Sequence, residues 1–292
     1  MAVNVEGKDD INAPDDSPAT ELPSARLRSI RHVALDLDGT IYKDDVVFEG
    51  VNDFLATLRS LGIGYTFLTN NSSRSRHEYV ARLRGLGIAC DDENVFTSAD
   101  ATIVYMRKQI PDVRRIYLLG TPSLGEQFAE AGYVLCVGAE EPEAVVVGFD
   151  TTLDHRRLCQ AAYWIAQGKP YVATHPDRIC PTGEPTVLVD CGAICAAIAA
   201  ATGRWPLAVP GKPDRLMLAG ILASRGLRSD ELAMVGDRLY TDMAMAAASG
   251  ALGVLVLTGE ATAEQAAAME QPPDLVVDDV VAFGRLLAEI AG

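Results

Sequence analysis

Two aspartates separated by one leucine close an apolar run in HVALDLDGTIY, residues 32–42. Carboxylates about 4 Å apart repel by roughly 4 kcal/mol at an effective dielectric near 20. Asp36 and Asp38 therefore need a cation, a shared proton, or a turn that separates them. Asp-Gly at a strand end is ordinary turn chemistry, and taken alone the pair reads as a turn. Three further segments change that weighing. YTFLTNNSSRS (65–75) ends an apolar run in Thr69, Asn70 and Asn71. VPGKPDRLMLAG (209–220) places Lys212 just before a helix opened by Pro213. LAMVGDRLYTD (232–242) ends an apolar run in Gly236 and Asp237, with Asp242 in the turn of helix beyond.

These residue types suit one chemistry. Asp237 can join Asp36 and the Asp38 region around a hard divalent cation, since Mg²⁺ takes carboxylates, a carbonyl and waters. Thr69 and the amides after it can donate to an anion at a helix start, and Lys212 adds a compact positive charge. Together they would hold a phosphate group beside an aspartate. One carboxylate could attack phosphorus while Asp38 protonates the leaving alkoxide and then takes a proton from water.

The positions of these residues follow from the elements between them. Apolar runs at 31–36, 64–69, 115–120, 144–149, 232–236, 252–257 and 274–278 read as strands. Helical patterns cover 50–61, 75–86, 123–131, 155–167, 193–202, 213–225 and 241–249. Strands alternating with helices predict an α/β fold, a doubly wound, Rossmann-like parallel sheet covered on both faces. Ligands bind beyond the carboxyl ends of such strands, where all four polar segments fall. Residues 1–24 are polar and acidic and read as a disordered tail.

Composition narrows the partners. The chain has 292 residues and a formal net charge of −15, which disfavours nucleic acid and anionic membranes. No apolar run reaches the roughly 18 residues of a membrane span. Six cysteines form no C-x-x-C pair and four histidines no cluster, against zinc. Scattered thiols without a leader segment predict a cytoplasmic protein.

DLDGT (36–40), LTNN (68–71), GKP (211–213) and GDRLYTD (236–242), in this order, resemble the four motifs of the haloacid dehalogenase (HAD) superfamily of phosphohydrolases. The resemblance implies Asp36 as nucleophile, Asp38 as general acid and base, and Thr69, Asn70, Asn71 and Lys212 around the phosphate. It implies Mg²⁺ held by Asp36, the Asp38 carbonyl and Asp237, with Gly39, Thr40 and Asp242 behind them. Asp242 would orient waters or Lys212. The long insert between Thr69 and Lys212 resembles the α/β cap (C2 type) of the type IIA branch, with its NagD-like and 4-nitrophenylphosphatase-like sugar and nucleotide phosphatases. On that basis residues 25–97 and 207–292 form the catalytic core and 98–206 the cap.

In the cap, ATHPD carries His175 where the family often has Asn. His175 and Asp177 are expected on a loop facing the substrate, with His175 touching the leaving group; a turn residue satisfied by backbone is the alternative. Arg238 and Thr241 are expected to touch substrate or to be plain loop residues. The implied activity is Mg²⁺-dependent hydrolysis of a small phosphorylated metabolite, a sugar phosphate or nucleoside monophosphate, through an aspartyl-phosphate. The branch also allows a homodimer. Transfer to an acceptor (a phosphotransferase or mutase) uses the same residues. A receiver-like phospho-Asp signalling module is the third reading, disfavoured by Asp38 and by the cap-sized insert.

Overall fold

The computed structural model describes residues 21–181 and 185–292. Residues 1–20, read above as tail, and 182–184 lie outside the described residues. Residues 21–24, expected in the tail, open a helix, Glu21–Ser29.

The first strand, β1 (His32–Asp36), is followed by a small antiparallel hairpin, β2 (Tyr42–Lys43) and β3 (Val46–Val47), then by β4 (Gly64–Thr69) and β5 (Val95–Thr97). A second sheet follows, from β6 (Arg115–Leu119), β7 (Val134–Leu135), β8 (Ala144–Val147) and β9 (Tyr171–Ala173). Beyond it come the hairpin β10 (Ile179–Pro181) and β11 (Val187–Val189), and then β12 (Leu232–Gly236), β13 (Leu252–Val256) and β14 (Leu275–Val277). The large sheet has the order β14-β13-β12-β1-β4-β5, and its pairings are parallel.

Alternation along β1 shows why its middle, Val33 to Leu35, is apolar. Val33 and Leu35 join one buried cluster with Phe54, Leu58 and Phe283, while Ala34 joins another with Met217, Leu218 and Met245. Both faces are covered, so the middle of the strand is apolar and the polar His32 at its start is buried only with a partner, Thr66 Oγ1. The chain winds from β1 toward β5 on one side and from β12 toward β14 on the other. The reversal falls at β1, so a crevice opens beyond its carboxyl end.

The inserted sheet, order β7-β6-β8-β9, is also parallel. Tyr117, Leu119 and Val147 pack under helices His155–Ala166 and Cys191–Thr202. Ile116, Val146 and Val172 pack on the other face, against Phe128 and Ile103. Helix Ser98–Gln109 serves both sheets: Ala99, Ile103 and Met106 lie in the inserted unit's core, and Ala101 in the cluster under β1 and β12. No described helix is long and apolar enough to cross a membrane.

Candidate active site

Strand register brings the motif residues together. Asp36 pairs with Leu68 of β4, and Leu35 with Val235 of β12. Thr69 therefore sits one residue beyond Asp36 on one flank, and Gly236 and Asp237 lie beside it on the other. After β1 the chain turns sharply: Ile41 donates to the Leu37 carbonyl at 2.9 Å and Gly39 to Tyr42 at 2.8 Å. Gly39 has φ +88°, and a Cβ there would lie 2.4 Å from Asp237 Oδ2. The Asp-Gly pair is thus a turn, as its commonest reading has it, and the turn presses against the second acidic strand end.

Lys212 holds the centre. It is 3% exposed, and its ammonium donates to Asp36 Oδ1 and, at 2.8 Å, to Asp242 Oδ1. Burial works against its charge, but Asp242 and Asp36 outweigh that and hold it above the ordinary lysine range. Asp242 is fully buried in the π-turn Leu239–Met243, and its Oδ2 accepts the Arg238 amide at 3.2 Å. Burial pushes Asp242 up to about 7, and Asp36 adds to it. Asp237 is raised to about 6, again by burial and then by Asp36. Asp38 stands exposed beyond the end of β1, yet desolvation by the groups around it and then the charge of Asp36 raise it to about 6.

One carboxylate oxygen each from Asp36, Asp237 and Asp242 lies within 4.8 Å of the others. Asp237 Oδ2 accepts the Glu260 amide at 2.8 Å, while its Oδ1 is buried with no hydrogen-bond partner. A Cβ on Gly259 would sit 1.9 Å from Oδ2, so glycine is what lets the chain close over this carboxylate. Thr258 ties that loop to the turn after β1, donating to the Gly39 carbonyl at 2.5 Å. An orphaned buried carboxylate oxygen inside an acidic group with one lysine is a donor set suited to a hard divalent cation.

Other expected contacts are arranged differently. Thr69 is buried, and its hydroxyl accepts the Asn71 amide at 3.1 Å. Asn71 Oδ1 accepts from the Ser73 amide and hydroxyl, a local turn that spends it. Asn70 was expected on the phosphate, but both ends of its side chain bind the Lys212 backbone and its Nδ2 also reaches Asp177. His175 does not face the substrate: it is fully buried, with Nε2 2.9 Å from Asp190 Oδ1 and Nδ1 2.8 Å from Thr174 Oγ1. Burial lowers its affinity for a proton, yet the Asp190 hydrogen bond prevails and raises it to about 9. The turn-residue alternative was nearer, though its partners are side chains. Thr241 is 4% exposed inside the π-turn, and Arg238 Nε lies 3.1 Å from Glu260 Oε2. Arg238 also lies close enough to Asp36 and Asp237 for their charges to raise it despite burial.

Residues 258–260 were missed. Thr258-Gly259-Glu260 follows the apolar run of β13 as the other polar segments follow theirs, and the same strand-end rule would have found them.

Known proteins resemble this chain over most of its length. The family model of haloacid dehalogenase-like hydrolases matches residues 33–134, and a second model of HAD-like hydrolases matches 209–283. An acid sugar phosphatase of Staphylococcus aureus is 31% identical over 254 residues, covering 87% of this chain and 96% of that protein. The crystal structure of a 4-nitrophenylphosphatase from Thermotoga maritima superposes with a TM-score of 0.84 at 41% identity, covering 89% of this chain and 98% of that one. A glycerol phosphate phosphatase of Mycobacterium tuberculosis, solved in complex with magnesium, gives 0.82 at 32% identity, covering 89% and 78%.

Proposed function

The chain belongs to the haloacid dehalogenase-like hydrolases, in their type IIA branch, and is a phosphatase; from that premise we propose Mg²⁺-dependent hydrolysis of small phosphomonoesters through a phosphorylated Asp36. The observation that carries the reading is the Lys212 ammonium between Asp36 and Asp242, beside the partnerless Oδ1 of Asp237. The named activities of the relatives, on sugar, nitrophenyl and glycerol phosphates, support a compact ester as substrate.

Asp36, Asp237 and the Asp38 carbonyl would hold the Mg²⁺, which when bound supplies charge that screens the approach of a phosphate to a carboxylate. The chain's own groups do the rest. Lys212 occupies one oxygen of Asp36, orients the carboxylate and offers charge to the phosphate oxygens. The other Asp36 oxygen bonds to phosphorus as the P–O bond to the alcohol breaks. Asp38, raised to about 6, gives its proton to the departing oxygen and then takes one from the water that cleaves the acyl-phosphate. Thr69, one residue beyond Asp36 along the neighbouring strand β4, would meet the phosphate there.

The test is phosphate release across a panel of metabolite esters, with and without Mg²⁺, followed by acid quenching with labelled substrate. Label on the Asp36 peptide, and no turnover in a folded Asp36→Asn variant, are the expected results. Retained activity in Asp36→Asn overturns the nucleophile assignment.

A further inference from the structure

We propose that Asn70 and Asp177 form a latch that sets the position of Lys212 from the inserted domain, so that Asp177 is a positioning residue for phosphate rather than a contact for the leaving group. The proposal deepens the phosphatase reading and rests on it.

Asn70 Oδ1 accepts the Lys212 N–H at 2.7 Å, and its Nδ2 donates to the Lys212 carbonyl at 3.0 Å. One side chain thus grips both backbone groups of the residue whose ammonium rests on Asp36. The second Nδ2 contact, 3.0 Å to Asp177 Oδ2, leaves the core and enters the inserted domain. The Asn70 carbonyl is itself held by the Ser98 hydroxyl at 2.5 Å. Both hydrogens of the side-chain amide are spent, so the Asn70 side chain has no donor left for a phosphate and only its backbone N–H could meet one.

The Lys212 segment is closed in from the other side as well. The Gly211 amide donates to the Thr174 carbonyl at 2.9 Å. A Cβ on Gly211 would lie 2.5 Å from that carbonyl oxygen and 2.8 Å from Asn70 Oδ1. The loop carrying Asp177 is braced in turn. The Gly192 amide donates to the Asp177 carbonyl at 2.7 Å, the Asp190 amide to Arg178 at 3.0 Å, and Asp190 holds His175. A Cβ on Gly192 would be 2.0 Å from the Pro176 carbonyl, so this loop lies directly on the start of helix Cys191–Thr202. Rigidity therefore runs from that helix through Asp177 and Asn70 to the Lys212 backbone.

Charge favours the same assignment. A carboxylate facing a phosphomonoester would repel it. Turned onto Asn70, the Asp177 carboxylate makes a charge-assisted hydrogen bond instead.

Asp177→Ala and Asp177→Asn are compared with wild type on an alkyl phosphate, a sugar phosphate and 4-nitrophenyl phosphate, with inorganic phosphate as inhibitor. The latch predicts that Asp177→Ala lowers kcat/KM by about tenfold, the low end for a hydrogen bond to a charged group at a half-buried site. The factor is the same for every ester, inorganic phosphate binds more weakly as well, and Asp177→Asn recovers most of the loss because its Oδ1 still accepts from Asn70. Losses that vary with the leaving group while phosphate inhibition stays unchanged overturn the proposal. Amide exchange of the Lys212 peptide, measured without substrate, is the independent reading. Exchange faster in Asp177→Ala than in wild type or Asp177→Asn supports the latch whether or not the phosphatase reading holds, and equal exchange in all three overturns it.

Discussion

Acid should unfold this protein through a residue with no part in the chemistry. His32 opens β1, the strand that ends at Asp36. Its ring lies over Gly64 on the neighbouring strand, where a Cβ would come within 2.5 Å of Nδ1, and its Nε2 is 2.9 Å from Thr66 Oγ1. The residue is 5% exposed. Burial, and then the charge of Arg225, lower its pKa from 6.5 to about 4. The folded state thus refuses a proton that the unfolded chain accepts. The contribution is complete above the unfolded value and is lost as pH falls from 6.5 toward 4. Between about pH 7.5 and about pH 5 the loss is about 2 kcal/mol from this group alone. His32→Gln keeps an amide for Thr66 and cannot titrate. Urea unfolding followed by far-ultraviolet circular dichroism at those two pH values should show wild type losing about 2 kcal/mol more than the variant. Equal losses would mean that His32 carries its proton in the folded strand, and the burial argument would fail.

At the site, Asp38→Asn should cost an unactivated alkyl phosphate at least about tenfold more than 4-nitrophenyl phosphate, because only the poor leaving group needs the proton; equal losses remove Asp38 from that step. Gly259→Ala drives a methyl into Asp237 Oδ2, so the Mg²⁺ concentration for half-maximal activity should rise by about tenfold or more. An unchanged Mg²⁺ titration would exclude Asp237 as a ligand. Chelation should abolish turnover, and Mg²⁺ at about a hundred times its dissociation constant should stabilise the fold by about 2.7 kcal/mol, visible as a higher melting temperature. A melting temperature indifferent to Mg²⁺ would count against the acidic group as its site.

The sheet was legible because its strands are apolar on both faces and stop at polar residues; Asp36, Thr69 and Asp237 mark three carboxyl ends that the register then aligns. Other parts were hidden for identifiable reasons. Helix Ser98–Gln109 buries Ser98 through Ile103 without a break, so no amphipathic stripe appears. The final helix, Val280–Ala291, follows β14 after only Asp278 and Asp279, so close to the apolar run 274–278 that it was not read as a separate element. Helix 241–249 was expected whole, but it starts as a π-turn that turns Asp242 back onto Lys212. His175 looked functional because histidine titrates near neutrality. Its role is set by Asp190, which is close only after the β10–β11 hairpin has folded back, a contact no local pattern records.

The charge balance of the crevice explains why an acidic chain can still take an anionic substrate. The Lys212 ammonium lies between Asp36 and Asp242, while the charge of Arg238, which also acts on Asp38 and Asp237, is shared with Glu260. Three of the four carboxyls are pushed up to about 6 or 7, which is how mutual repulsion and burial register in a site with too little positive charge. A phosphate dianion would add to that excess at about 4 kcal/mol for each close pair at an effective dielectric near 20. Lys212 cannot offset this alone, because both of its carboxylate partners already claim it. The divalent cation proposed at Asp237 would reduce that excess and so help admit the substrate as well as assist its cleavage, and on that proposal substrate affinity and metal affinity should rise and fall together.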